Sequence, residues 1–398
     1  MPRFEPFAGL RYHPRIALDE VVAPPYDVIA PNERAELAQR SPYNAVRVEL
    51  PADEDGKDRY VVARDLLTRW RREGVLVGED QPAFYGHRMA FTDESGRLRH
   101  SLGVIGALGI DEPGAGGVLP HEHTTPKAKT DRLELLRSTS TNISPIWGLS
   151  LARGLTQHLI APERAAGATD DDGVRHELWP ITDPGAVDAI ARAVASAPVV
   201  IADGHHRYET AGTYRNEHAP TAGPWDLVMA LVVELADDQL SVRAIHRLLS
   251  GLPPDLDLPA VLRRWFAVVP TAPADATITH RMEVAGALAL VTPEGTWLLR
   301  PSAELAAAAA QDLDSSRFDV VRGAIGDHEV VYQHGWDLAL RAVETGLAQA
   351  AVLLRPATVA QIEATGRGGA RMPPKTTFFW PKPRTGLVMR SVEPSISS

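Results

Sequence analysis

The chain has 398 residues, 44% hydrophobic and 23% charged, which suits a folded protein of about two or three domains. It holds no cysteine, so disulfides, thiolate nucleophiles and Cys-based metal sites are excluded. The net charge of −10, from 41 basic and 51 acidic residues, argues against a broad basic face for nucleic acid but not against a small basic pocket. No apolar run is long enough to cross a membrane and the N-terminus lacks a signal-peptide core, so a cytoplasmic location is expected.

Residues 1–30 read as loop-rich, with Pro24 and Pro25 stiffening an extended segment through Ile29. Pro31 opens a helix to about residue 39. Residues 44–50 alternate like a strand, and 58–73 form an amphipathic helix with Tyr60, Leu66, Leu67 and Trp70 inward. Residues 83–91 and 98–110 read as strands joined by a turn, the second one central because 103–109 is small and apolar.

Pro120-His121-Glu122-His123-Thr124-Thr125-Pro126-Lys127-Ala128-Lys129-Thr130-Asp131-Arg132 is the first chemically dense stretch. It precedes a helix expected over 133–138, capped by Thr130 or Asp131. Glu122 among cations can take a proton from a hydroxyl nucleophile, and Lys127, Lys129 and Arg132 can neutralise phosphate charge during transfer. A solvated charged loop is the plainer alternative. His121 and His123 with His205 and His206 invite a zinc reading, but they lack the i, i+4 spacing of a helical pair.

Residues 142–149 return to strand, 161–175 suit a surface hairpin or loop, and 183–196 suit a helix. The next stretch, Val199-Val200-Ile201-Ala202-Asp203-Gly204-His205-His206-Arg207, starts as a β-branched apolar run and leads into a helical pattern. A strand that becomes a helix through a glycine gathers free backbone N–H groups and the positive helix end at one point, which suits a phosphate. Gly204 lets the backbone approach a ligand, Arg207 can fork onto phosphate oxygens, and the histidines add donors titrating near neutral pH. A polar turn with a His pair capping a helix is the alternative.

Residues 226–234 and 240–249 are strand-like, Pro253-Pro254 marks a boundary, and 256–345 alternates helices and strands. A strand over 350–354 and a helix over 358–364 precede a basic Gly/Pro-rich loop, 366–375, which suits either a flap or a feed into an edge strand. There is no P-loop, no GxGxxG and no GxSxG elbow, and no internal repeat.

Several segments carry a resemblance. Pro24-Pro25-Tyr26-Asp27-Val28-Ile29, His121-Glu122-x-Thr124 with Lys127 and Asp131-Arg132, Asn142-x-Ser144-Pro145-Ile146, residues 202–211, Ile245-His246-Arg247 and residues 372–382 resemble the DUF1015 family over nearly the whole chain. Locally, Asp203-Gly204-His205-His206-Arg207 is similar to the box of ParB/sulfiredoxin-like domains and free-serine kinases, and Pro120-His121-Glu122 to the kinases' base segment. Sulfiredoxin's cysteine has no counterpart, and no helix-turn-helix follows the box.

The resemblance implies a mixed α/β fold. Its expected parts are a ParB/sulfiredoxin-like core over 100–250, an N-terminal α/β segment over 1–99 and a C-terminal one over 251–398. It implies a nucleotide-dependent kinase for a small, serine-like hydroxyl metabolite, using ATP or ADP with Mg²⁺. Glu122 is then the base, Lys127 and Arg132 steady the transferring group, and Asp203, Gly204, His205, His206 and Arg207 bind phosphate, with Asp203 a candidate Mg²⁺ ligand. A nucleotide-binding regulatory module and a phosphohydrolase are the alternatives. The expected partners are a nucleotide and a small-molecule substrate, without nucleic acid or membrane. A homo-oligomer is left open.

Overall fold

A computed structural model describes residues 1–93, 96–112, 114–120, 126–368, 372–373 and 375–393, with the side chains of 120 and 126–129 outside that description. The fold is mixed α/β, and the chain forms two compact units, Met1–Leu240 with Pro381–Ser398, and Ser241–Trp380. Among the described residues no helix is long and apolar enough to cross a membrane.

The first unit is built on a nine-stranded sheet. Its strands are β1 (Phe4–Glu5), β2 (Phe84–Thr92), β3 (Leu98–Gly109), β4 (Val118–Pro120), β5 (Ile146–Ser150), β6 (Ala166–Thr169), β7 (Arg175–Ile181), β8 (Val199–Asp203) and β9 (Leu227–Glu234). Their order is β4-β8-β5-β9-β3-β2-β7-β6, with β1 paired to β3. Every residue of β9 is buried, so it lacks in/out alternation, as expected where both faces of a strand are covered. On one face Val104, Leu108, Ile146, Val199, Ile201 and Val232 pack with Ile190 and Val194 of α5 (Pro184–Ala195).

Helices α1 (Pro31–Arg40), α2 (Val46–Glu49), α3 (Arg59–Arg72) and α4 (Pro126–Thr139) precede α5, and α6 (His205–His218) follows β8. Trp70, Leu66 and Leu67 of α3 are buried, as the periodicity requires, with the Asp58 side chain accepting from Tyr60 N at the cap.

Two expected elements differ. Residues 44–50 form the short helix α2 rather than a strand. Asn44 Oδ1 accepts from Val46 N at 3.0 Å and its amide donates to Glu20 O at 2.7 Å, turning the chain there. Val46, Val48 and Glu49 are all buried, so the alternation did not mark two faces. Helix α4 starts at Pro126 rather than at Leu133, because proline at a first helical position fixes a helical φ and needs no N–H partner. Asp131 is therefore not a cap; it lies inside the helix and binds Tyr60 and Arg132.

The units also cut the chain differently from the sequence boundaries. β2 and β3 pair from Tyr85–Ile105 to Thr92–Leu98, so residues 84–92 belong to the same sheet as the strands after residue 100. The first unit ends before Ser241, not at Pro253-Pro254, because the strand beginning there pairs within the second unit.

The second unit holds β10 (Ser241–Ser250), β11 (Phe266–Thr271), β12 (Leu288–Thr292), β13 (Gly295–Pro301), β14 (Glu329–His334), β15 (Ala350–Leu353) and β16 (Thr377–Trp380). Their order is β11-β13-β12-β15-β10-β14, with β16 also paired to β10. Leu249, Leu288, Leu290, Leu299, Phe318 and Val352 form its core. Of the basic loop expected over 366–375, Gly366 and Arg367 end a helix, α7 (Val359–Arg367), and 369–371 and 374 lie outside the described residues.

One buried pair in the first sheet is sensitive to protons. His87 of β2 and His176 of β7 stack with ring centroids 5.7 Å apart, and both are fully buried. His176 meets Asp170 at 2.9 Å, which Arg384 also binds, whereas among the described residues neither nitrogen of His87 has a partner. Burial, with His176 adding to it, pushes His87 down to about 3. The unfolded chain takes up this proton near the ordinary value of 6.5, so folding stability is full above that pH and falls as pH drops toward 3. His87→Leu removes that loss. Urea unfolding at about pH 7 and about pH 4.5 should show a smaller acid-induced drop for the variant, by up to about 1.4 kcal/mol per pH unit.

Candidate functional site

Strand β8 carries Val199, Val200 and Ile201 into the core and leaves Asp203 at its polar end. Gly204 then takes φ 87°, ψ 29°, a left-handed conformation that glycine adopts without the Cβ penalty. A side chain there would also sit 3.0 Å from the Arg207 guanidinium. The turn aims α6 so that its first intrahelical bond runs from Tyr208 N to Gly204 O at 3.0 Å. The N–H groups of His205, His206 and Arg207 precede that bond, at the positive end of the helix. His205 is buried and His206 half-buried.

Asp203 sits between two cations. Arg207, one turn on, donates through Nη2 to Oδ2 at 2.8 Å, and Lys382 donates to Oδ1. Burial favours the neutral carboxyl, but Lys382 and Arg207 outweigh it and hold Asp203 below the usual carboxylate range. Nη1 of Arg207 donates to Ser144 Oγ at 3.0 Å and to Pro145 O at 2.6 Å. The guanidinium is thus a half-buried tie among three segments.

The network continues through Ser144, whose hydroxyl donates to Glu49 Oε1 at 2.8 Å. Arg132 Nη1 donates to Glu49 O at 2.6 Å and lies 4.0 Å from its carboxylate. Arg132 also binds Asp131 through Nε at 2.8 Å and stacks 4.2 Å over the Tyr26 ring. Burial pushes the Tyr26 hydroxyl up to about 12. Arg132, Arg207, Glu49, Ser144 and Thr210 together line a cavity of about 50 Å³. By the volume a buried water needs, that is room for a few waters or one small polar group, not for a nucleotide.

Strand β4 brings Pro120, at the start of the first box, to the strand that leads into the second. It runs parallel to β8, with Val118 beside Val199 and Pro120 beside Ile201. Strand β4 therefore ends beside the part of β8 that runs into Asp203 and Gly204. His121 to Thr125, Glu122 among them, lie outside the described residues, and so does the Lys127 side chain. Arg132, ten positions after Glu122, shares the cavity with Arg207.

Sequence reasoning assigned no role to Lys382, Ser144, Glu49 or Tyr26. Three of these stand in segments that carried the family resemblance, and that was the available signal. Glu49 had none, because it sat in a stretch read as a strand. Mg²⁺ does not fit this donor set. Among the described residues no cluster of three or more His, Asp or Glu side chains can hold a metal. The Asp203 carboxylate is already taken by two cations.

The solved structures similar to the chain include the following three. A free serine kinase in complex with AMP covers 70% of this chain and 88% of its own, at 15% identity and a TM-score of 0.38. SbnI from Staphylococcus aureus, with a C-terminal truncation, covers 71% and 85% at 11% identity and a TM-score of 0.39. A conserved hypothetical protein from Pyrococcus furiosus covers 68% and 90% at 15% identity and a TM-score of 0.36. Scores this low carry no weight for the site. No curated protein sequence matches the chain. The sequence model of DUF1015, described as a protein of unknown function, matches residues 4–319, which takes in the Tyr26, Ser144 and Arg207 segments and stops short of Lys382. With that much of its length matched, the chain belongs to the DUF1015 family.

Proposed function

We propose that the first unit is a nucleotide-dependent kinase for a small hydroxyl metabolite, with ATP or ADP as donor. The observation that supports this most is the parallel pairing of β4 with β8, which puts Pro120, the last described residue before the acidic-basic segment, beside Ile201, three positions before Gly204. A phosphoryl transfer needs a cradle for the donor phosphates and a base for the acceptor, and these two segments supply the residue types for both. In this reading the N–H groups at His205 and His206 and the Lys382 ammonium meet the phosphates. Glu122 takes the proton of the acceptor hydroxyl, whose oxygen attacks the terminal phosphorus as the bond to the leaving nucleotide breaks. Lys127 accompanies the transferring group. Arg132 and Arg207 act from behind, fixing Glu49, Ser144 and Asp203.

A second reading, a nucleotide-binding regulatory module, is favoured by the closed charge network. Arg207 and Lys382 share Asp203, and Arg132 has Asp131 and Glu49. Phosphorus NMR separates the two. The chain is incubated with the magnesium complex of ATP or ADP and a panel of small alcohols. A phosphate ester with ADP or AMP supports the kinase. Nucleotide binding without any ester supports the module, and release of inorganic phosphate alone indicates a hydrolase.

Three variants sharpen the test. Glu122→Gln should lower the transfer rate about 100- to 10,000-fold while nucleotide affinity holds, because the amide cannot take the proton. Lys382→Ala should weaken nucleotide binding by one to two decades, from the loss of a charge-assisted contact worth roughly 1.5–3 kcal/mol. Arg207→Ala should act on folding instead, lowering stability by about 3 kcal/mol in urea titration, since it takes the guanidinium from Asp203, Ser144 and Pro145 together. Equal loss of nucleotide affinity in Glu122→Gln and Lys382→Ala would count against Glu122 as the base.

A further inference from the structure

A sheet edge carries backbone N–H and C=O groups that can pair with another strand, and folded proteins blunt such edges. The two large sheets of this chain end in four outer strands, of which three are blunted. β4 ends in Pro120, and Asp111 Oδ2 accepts from the N–H of Val118 at 2.8 Å and from that of Gly117 before it at 2.7 Å. In β6 the Thr169 N–H donates to Asp19 Oδ1 at 2.5 Å. β11 carries Pro270, which has no N–H to offer.

The fourth outer strand, β14, has none of these devices. Its six residues, Glu329-Val330-Val331-Tyr332-Gln333-His334, include no proline, glycine or lysine. Among the described residues its strand partner is β10 alone, and no side chain caps the backbone of Val330, Val331 or Tyr332. Val331 is 53% exposed and Tyr332 41%. In β10, Leu248 lies opposite Val331 and Leu249 opposite Val330. Val331 therefore shares a face with the cluster of Leu248, Ala339, Ala342 and Val343, while Val330 and Tyr332 share the other face with Leu249. Helix Trp336–Glu344 packs on the first face and leaves Leu338 45% exposed.

This edge is complementary to itself. Two copies joined edge to edge in antiparallel fashion are related by a two-fold axis through the sheet, so one residue lies opposite its own copy. With Val331 at the axis, Val330 lies opposite Tyr332 of the second copy, and Glu329 opposite Gln333 of the second copy. Valine then meets valine on one face, a β-branched residue meets an aromatic one on the other, and no carboxylate faces a carboxylate. With Tyr332 at the axis, Val330 would meet His334 and Val331 would meet Gln333, which sets polar groups against valine on both faces.

We propose that β14 is the seam of a homodimer, in which a second copy of this chain extends the sheet of the second unit by antiparallel pairing centred on Val331.

Sedimentation equilibrium of the full chain gives the first test. A seam of this size gives weak association, so the mass should approach twice that of one chain as concentration rises to about 100 µM. Val331→Lys sets two ammonium groups against each other at the axis and should weaken the dimer about tenfold or more, with circular dichroism and Tm checking that the variant is folded. Gln333→Lys should tighten the dimer and Gln333→Glu weaken it, each by about three- to tenfold, because the pair with Glu329 occurs twice across the axis. Cross-linking gives a second test that does not depend on these variants. The chain has no cysteine, so Val331→Cys introduces a single thiol. At the axis two such thiols lie opposite each other, within the Cα separation that a disulfide spans. With diamide as oxidant, Val331→Cys should be trapped as a covalent dimer. Val269→Cys, on the proline-bearing β11 and 53% exposed like Val331, should stay monomeric. The mass of one chain at every concentration overturns the proposal, as does a dimer unmoved in folded Val331→Lys or equal cross-linking of the two cysteine variants. The same response to Gln333→Lys and Gln333→Glu overturns the centring on Val331.

Discussion

The site depends on one carboxylate. Asp203 stands where an apolar strand ends, and its two oxygens hold cations that reach it from different parts of the chain. Arg207 comes from one helical turn later, and Lys382 from beyond the second unit. Both cations offset the desolvation of this half-buried carboxylate. The charge also draws the Arg207 side chain back over the turn, so a Cβ at the position between them would press against the guanidinium at 3.0 Å. Glycine at 204 is therefore fixed twice, by its left-handed φ and by the guanidinium lying against it.

From Arg207 the order spreads by hydrogen bonds. Ser144 and Pro145 anchor the entry to β5, Glu49 ties in the short helix α2, and Arg132 closes the chain of contacts against Tyr26 and Asp131. Apart from Arg132 with Asp131, each of these links joins residues far apart in sequence, with little help from local propensity. The turn is rigid through its surroundings rather than through its own backbone bonds.

Much of the frame was legible in the sequence. The β-branched run into Gly204 gave the strand and the helix after it, and the apolar period of 58–73 gave α3 with Trp70 inward, since both signals are local. What failed depended on distant partners. Glu49 looked like part of a strand because hydrophobic alternation cannot tell two faces from burial on every side. The helix at Pro126 began earlier than its polar composition suggested, because proline starts a helix as readily as it ends one. Lys382 stood beyond the loop read as a flap or a feed into an edge strand; Thr377–Trp380 is indeed a strand of the second unit, with Arg243 stacked 3.7 Å over Trp380, but the next residues return to the first. No local pattern announces a change of unit within one motif.

That return has a consequence for how the protein is made. The second unit is inserted into the first, between Leu240 and Pro381. A ribosome delivers the nine strands of the first sheet and the Gly204 turn before it begins the insertion, and delivers Lys382 only after finishing it. Throughout that interval the nascent sheet has Asp203 with one of its two cations. The Asp203 end of the turn is thus assembled last, by a segment that arrives once the inserted unit has been translated, which ties maturation of the site to completion of a body that supplies none of the residues lining its cavity.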